Sequence, residues 1–264
     1  MKPNSIVTLT TDFGLADTYV GTMKGVILSI NPRCTIIDIT HEIEPQDIMG
    51  AGLALSGAYN FFPEGTIHVA VVDPGVGSLR RPLLIETEKY FFVGPDNGIF
   101  SFIPAGKQTG NVFEMTDTSF FLPSPSSTFH GRDIFAPVAA HLSTGKQPEC
   151  FGSRITDRIT LDTPEAKILN TNTAEGEIIH IDRFGNLITN LSRDFVEKMT
   201  GGKPFRIEMK GGSSNRLLPN YAGAEEGELF CLFGSADRLE ISVKNRSAGE
   251  LMNARKGDKV IIRK

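Results

Sequence analysis

Hydrophobic positions in the first half of the chain switch period repeatedly. Ile6 to Thr11 is a short apolar run of β character, Thr18 to Ile30 carries apolar residues at helical spacing, and Thr35 to Ile39 returns to a strand pattern. This is the start of a βαβ unit. Asp47 to Phe61 predicts a second helix and Thr66 to Asp73 a buried strand. Arg132 to Leu142 predicts a further helix, with Pro137 at a turn or kink. Strands alternating with helices predict an α/β domain with a mainly parallel sheet, whose ligands gather beyond the carboxyl ends of the strands.

After about residue 160 the pattern changes to short strands separated by turn residues. These strands are Glu177 to Asp182, Leu187 to Asn190, Phe205 to Lys210, Gly227 to Phe233, Arg238 to Val243 and Lys259 to Arg263. They predict a smaller C-terminal β domain, barrel-like or a sandwich. Leu161 to Gly176 is rich in Thr and Asn, contains Pro164, and reads as a linker. The expected division is an N-terminal α/β domain over 1–164 and a β domain over 165–264.

Composition narrows the function classes. The chain has 264 residues, is 40% hydrophobic and has a formal net charge of -4, so it can build sizeable cores but carries no sequence-wide basic field. Nucleic acid and anionic membrane are therefore poor partners, and a small molecule is the better expectation. The N-terminus lacks a secretory pattern and no apolar run approaches the roughly 20 residues that span a bilayer, which makes the cytoplasm the default expectation. Cys34, Cys150 and Cys231 are far apart with no CxxC pair, and the five histidines show no HxH or HxxxH spacing, so neither a disulfide framework nor a metal cofactor is expected.

Candidate chemistry sits at strand ends. Thr10-Thr11-Asp12-Phe13-Gly14 places a carboxylate after the first strand, where it can accept from ribose hydroxyls or simply cap a helix. Asp73-Pro74-Gly75-Val76-Gly77-Ser78-Leu79-Arg80-Arg81 follows a buried strand with an acid, two glycines and two arginines. An Arg seven residues along can fold back to orient the carboxylate or hold an anionic nucleophile, although a plain ion pair at a turn has the same sequence. Phe129-His130-Gly131 sets a histidine, the natural proton carrier near neutral pH, at a predicted helix start. His41, His68, His141 and His180 read as packed or solvated residues. In the second half, Asp182 and Asn186 flank a Gly turn, where Asn can pair with a base edge or the pair can form an Asx turn. Tyr221 can stack on a planar ring, and Ser235, Glu240 and Val243 lie on another strand and its approach.

Taken in order, Thr11-Asp12-Phe13-Gly14, Val72-Asp73-Pro74-Gly75-Val76-Gly77, Phe129-His130-Gly131-Arg132-Asp133, Phe184-Gly185-Asn186 and Arg238-Leu239-Glu240-Ile241 resemble the S-adenosylmethionine hydrolase family. Its members are also called S-adenosyl-L-methionine hydroxide adenosyltransferases and are related to fluorinase and chlorinase. The resemblance implies an α/β domain, a β-barrel-like domain, and a homotrimer with active sites between subunits. It implies hydrolysis of S-adenosyl-L-methionine, without cofactor, to adenosine and methionine. It further implies a catalytic set of Asp73, Arg80 and His130, with Arg81 adjoining Arg80. Asp12 corresponds to the ribose acid, Asn186 to an adenine contact, Tyr221 to the stacking aromatic, and Asp182 and Ser235 to the methionine end. Phe129, Glu240 and Val243 correspond to further ligand contacts. Halogenating relatives carry hydroxyl side chains where this chain has Asp73, Val76 and Gly131, and a carboxylate repels halide, so water is the expected nucleophile. The alternatives are a halogenating enzyme and a nucleoside-binding sensor without turnover.

Overall fold

In the computed structural model, which describes residues 1–104 and 110–264, the chain divides into two compact units, Met1–Asp162 and Thr163–Lys264. The first unit begins with strand β1 (Ile6–Thr11), helix α1 (Tyr19–Ile30), strand β2 (Thr35–Thr40), helix α2 (Ile48–Ala58) and strand β3 (Ile67–Val71). Strands β4 (Pro82–Glu86), β5 (Phe91–Pro95) and β6 (Asn111–Met115) follow, then helix α3 (Ala136–Ser143) and strand β7 (Gly152–Ile155). One seven-stranded sheet has the order β2-β1-β3-β5-β4-β6-β7. Its β2, β1, β3 and β5 strands are parallel, while β4, β6 and β7 extend it antiparallel.

Both faces of this sheet are covered, which is why β3 is buried along its whole length. Val69 and Val71 join the core that includes Met23 and Ile27 of α1 and Val138 of α3. Ala70, with Val72 just beyond the strand, joins the opposite core with Ala51 and Leu55 of α2. Helix α2 is held at its start by Asp47, whose side chain accepts from Gly50 N at 2.9 Å. The predicted kink at Pro137 is placed differently. Pro137 lies in the first turn of α3, where its missing N–H costs nothing, and the irregular backbone precedes it as a π-helical turn over Gly131–Phe135.

The second unit contains β8 (Lys167–Asn170), β9 (Thr173–Ile181), β10 (Leu187–Ser192), helix α4 (Arg193–Thr200), β11 (Arg206–Met209) and β12 (Gly212–Ser214). It ends with β13 (Leu229–Phe233), β14 (Arg238–Val243), helix α5 (Ala248–Met252) and β15 (Lys259–Arg263). The antiparallel order is β12-β11-β15-β9-β10-β14-β13, with β8 beside β9. The two ends of that order meet, because Ser214 Oγ of β12 donates to Leu229 O of β13 at 2.9 Å, so the sheet is a nearly closed barrel. Much of the segment expected to be a linker, 161–176, belongs to this sheet as β8 and the start of β9. Among the described residues, no helix is long and apolar enough to cross a membrane.

One buried titratable group ties the first unit to pH. His68, on β3, is fully buried among Tyr59, Phe62, Tyr90 and Phe92, with Nδ1 2.8 Å from Thr8 Oγ1. Burial pushes its pKa down to about 3. Between that value and the ordinary histidine range near 6.5 the unfolded chain binds a proton that the folded chain does not, so stability is complete above this window and falls as pH drops through it. The His68→Phe variant should lose up to ~1.4 kcal/mol per pH unit from the acid slope of unfolding stability measured by urea titration. An unchanged slope would show that His68 does not titrate in this way.

Candidate active site

Strands β1 and β3 are neighbours with Thr11 opposite Val71, so the residues that follow them leave the sheet side by side. Asp12 continues from β1, and Asp73 follows one residue after Val72, whose carbonyl is held by Asn97 Nδ2 at 2.8 Å. From Asp73 the backbone folds through two successive turns, Val76 N to Asp73 O at 3.2 Å and Ser78 N to Gly75 O at 3.1 Å. These turns bring Arg80 back over the strand end.

The resulting ion pair is close and dry. Arg80 Nε lies 2.9 Å from both Asp73 carboxylate oxygens, and Nη2 donates to Oδ2 as well. The Asp73 side chain is 5% exposed and that of Arg80 8%. The guanidinium also stands 5.2 Å over the Phe135 ring, a cation–π contact at the end of the π-helical turn. Arg81 faces elsewhere, to Asp96 at 2.7 Å and Asp157 at 2.9 Å. Arg80 is thus the arginine of this cluster, and Arg81 is a structural one.

His130 completes the cluster from a different segment. Its Nδ1 lies 2.7 Å from Arg80 Nη2. A guanidinium can only donate, so Nδ1 accepts and the neutral ring carries its proton on Nε2. Burial first, and the Arg80 charge second, lower the His130 pKa, against smaller opposing effects of Asp73, Asp133 and the Ser126 backbone. Gly77 allows the two segments to approach. It adopts φ +76, and a Cβ there would overlap Ser127 O. Asp133, 2% exposed, stabilises the His130 segment by accepting from Ser126 N at 2.8 Å and from Arg132. Phe129 packs edge-on against Phe13 and Tyr19, centroids 5.8 and 5.1 Å apart, and so ties the His130 segment to the Asp12 loop. Phe13 and Tyr19 are neighbours of the site that the sequence reading did not single out. Among the described residues no His, Cys, Asp or Glu group is arranged to hold a metal ion.

In the second unit the turn after β9 is closed by Asp182. Its Oδ1 accepts from Phe184 N and Asn186 N, both at 2.9 Å, and its Oδ2 accepts from Asn186 Nδ2 at 2.8 Å. This is an Asx turn that fixes Asn186 against the carboxylate. Gly185 at φ +82 presses against Ser247, where any Cβ would collide. Tyr221 Oη donates to Glu240 Oε2 at 2.8 Å. Burial, then the Asp182 charge, raise the Glu240 pKa, partly offset by Tyr221. Ser235 is exposed in the hairpin between β13 and β14. The Val243 side chain is 4% exposed and packed in the barrel core, because the end of β14 is buried on both faces, which leaves its backbone as the part able to meet a ligand.

Residues 7–152 match the N-terminal domain of the family described as SAM hydroxide adenosyltransferase, and residues 176–261 match its C-terminal domain. The chain belongs to the SAM hydroxide adenosyltransferase family. It is similar to a protein of Methanocaldococcus jannaschii named (R)-S-adenosyl-L-methionine hydrolase, 36% identical over 97% of this chain and 95% of that one. A Thermus thermophilus protein of the same name is 35% identical over 93% of this chain and 94% of its own length. The crystal structure of an uncharacterized conserved protein from Thermotoga maritima overlays with a TM-score of 0.91 at 35% identity, covering 98% of this chain and 100% of that one. A fluorinase of an Actinoplanes species is more distant, 26% identical over 74% of each chain.

The geometry predicts the protonation state of this family member's histidine. In long-range ¹⁵N spectra His130 should show the Nε2–H tautomer with a pKa below the ordinary 6.5, and Arg80→Ala should raise that pKa by removing the adjacent charge. An Nδ1–H tautomer, or a pKa insensitive to Arg80, would contradict the assignment.

Proposed function

We propose that this protein hydrolyses S-adenosyl-L-methionine, in the (R) configuration at sulfur, to adenosine and L-methionine by attack of water on ribose C5′. The observation that carries the reading is the Asp73–Arg80–His130 cluster beyond the parallel strands, in a chain whose similar relatives are named for this hydrolysis. A sulfonium is pyramidal and bears three different carbons here, so the two configurations at sulfur are distinct substrates.

The chemistry needs little more than a nucleophile. The departing methionine sulfur leaves as a neutral thioether and needs no acid. Water is a weak nucleophile, so the site must hold it in line with the C5′–S bond and take up its proton as the C–O bond forms. Arg80 occupies three of the roughly four acceptor positions of the Asp73 carboxylate, which leaves one for the water. His130 Nδ1 is committed to Arg80, so Asp73 is the proton acceptor of the set, and His130 holds the guanidinium and positions the water. Arg80 Nη1 is buried with no hydrogen-bond partner among the described residues, a donor for the oxygen as negative charge develops on it. In this reading Asp12 holds the ribose hydroxyls, Phe129 lines the pocket, Asn186 and Tyr221 hold the adenine, and Asp182, Ser235 and Glu240 face the methionine end. That end carries the ammonium and sulfonium charges. A cation there favours the ionised form of Glu240, which burial and Asp182 disfavour.

The fluorinase likeness raises halide as a rival nucleophile. An Asp73 carboxylate in a dry site opposes a second anion, which favours neutral water. The assembly in this reading is a homotrimer with active sites between subunits, and light scattering should return three chain masses. A monomer would remove that part.

Incubation with each sulfur epimer, followed by chromatography, should yield adenosine and methionine from the (R) form. Asp73→Asn should lower kcat by ~10² or more, His130→Ala by less, and Arg81→Ala should leave it near wild type. No adenosine above the enzyme-free control would reject the activity, and an undiminished Asp73→Asn rate would remove Asp73 from the proton transfer.

A further inference from the structure

We propose that His41 is a positioning residue for Asp12, acting through Thr11 and the loop that follows it. The inference rests on reading Asp12 as the acid that holds the substrate's ribose. His41 lies just past the end of β2, as Asp12 lies just past the end of the adjacent β1. It is 3% exposed, and Thr11 is fully buried. His41 Nδ1 is 2.8 Å from Thr11 Oγ1, which itself accepts from Phe13 N at 3.2 Å. With the imidazole proton on Nε2, toward Asp38, the Thr11 hydroxyl donates to Nδ1. Nε2 faces Asp38 Oδ1 at 3.0 Å, in electrostatic contact though not aligned as a hydrogen bond. Asp38 is neutralised in turn by Lys24 of α1 at 2.6 Å.

The grip extends across the loop. His41 O accepts from Gly14 N at 2.8 Å, so one residue holds the chain immediately before Asp12 by its side chain and two residues after it by its backbone. The segment continues to Gln46, whose N–H donates to Asp12 Oδ2 at 2.9 Å from a left-handed backbone at φ +69, a conformation that side-chain-bearing residues rarely adopt. Asp12 Oδ1 accepts no hydrogen bond among the described residues. The carboxylate is therefore fixed through one oxygen, and the other remains for a ribose hydroxyl.

Adenosine titration calorimetry separates positioning from mere structural support, with thermal unfolding as the check of folding. Asp12→Ala and His41→Phe should each weaken adenosine binding by about tenfold or more, the loss expected for a misdirected charged hydrogen bond. His41→Asn, whose amide can still reach Thr11, should recover most of that affinity, and in turnover with the (R) substrate KM should rise more than kcat falls. Thr11→Val, nearly isosteric, breaks the same link and should weaken adenosine binding likewise even if His41→Phe does not fold. Wild-type affinity in Thr11→Val or in folded His41→Phe, with affinity lost in Asp12→Ala, would overturn the inference while leaving the ribose assignment standing. Wild-type affinity in Asp12→Ala would remove the ribose assignment, and the inference with it.

Discussion

The buried pair of Asp73 and Arg80 constrains everything around it. Taking a carboxylate and a guanidinium out of water costs several kcal/mol for each ion, and leaving either unpaired is typically destabilising by about 3–5 kcal/mol. The fold meets that cost with geometry. Successive turns return Arg80 to the end of β3, Gly77 lets the segment before His130 approach, and the π-helical turn brings Phe135 beneath the guanidinium. His130 then occupies the remaining side of Nη2. A charge pair placed beyond the ends of a parallel sheet is already stripped of water and already oriented, so a reaction that needs a water molecule held and deprotonated finds its acceptor in place.

The parts of the fold that were legible in sequence are those whose pattern extends over many residues. Strands β1 to β3 and helices α1 and α2 carry clean periods and fall close to where the pattern sets them. The far side of the sheet was not legible, because β5 and the antiparallel β4, β6 and β7 are only four or five residues each, and β4 and β5 carry proline, a strand-disfavouring residue. The linker expected before residue 176 is partly sheet. Its β8, Lys167–Asn170, is exposed along its length beside β9, so it lacks the alternation of a half-buried strand.

The site was readable in part for the same kind of reason. A carboxylate with an arginine seven residues on is visible in the sequence, but Arg80 and Arg81 differ only in which way each side chain turns, and that is decided by Asp73 on one side and Asp96 with Asp157 on the other. At the end of β14 simple alternation fails, because Ile241, Ser242 and Val243 are all buried. His41 was passed over as a packing residue. The strand-end rule that singled out Asp12 and Asp73 applies equally to the residue after β2, and following it there leads to His41.

The proposed nucleophile at C5′ is a water molecule held by Asp73. Turnover of the (R) substrate in H₂¹⁸O, followed by mass spectrometry of both products, addresses that claim most directly. Adenosine should carry one ¹⁸O at its 5′ position while methionine carries none. Unlabelled adenosine, or label in methionine alone, would contradict attack of water at the ribose carbon.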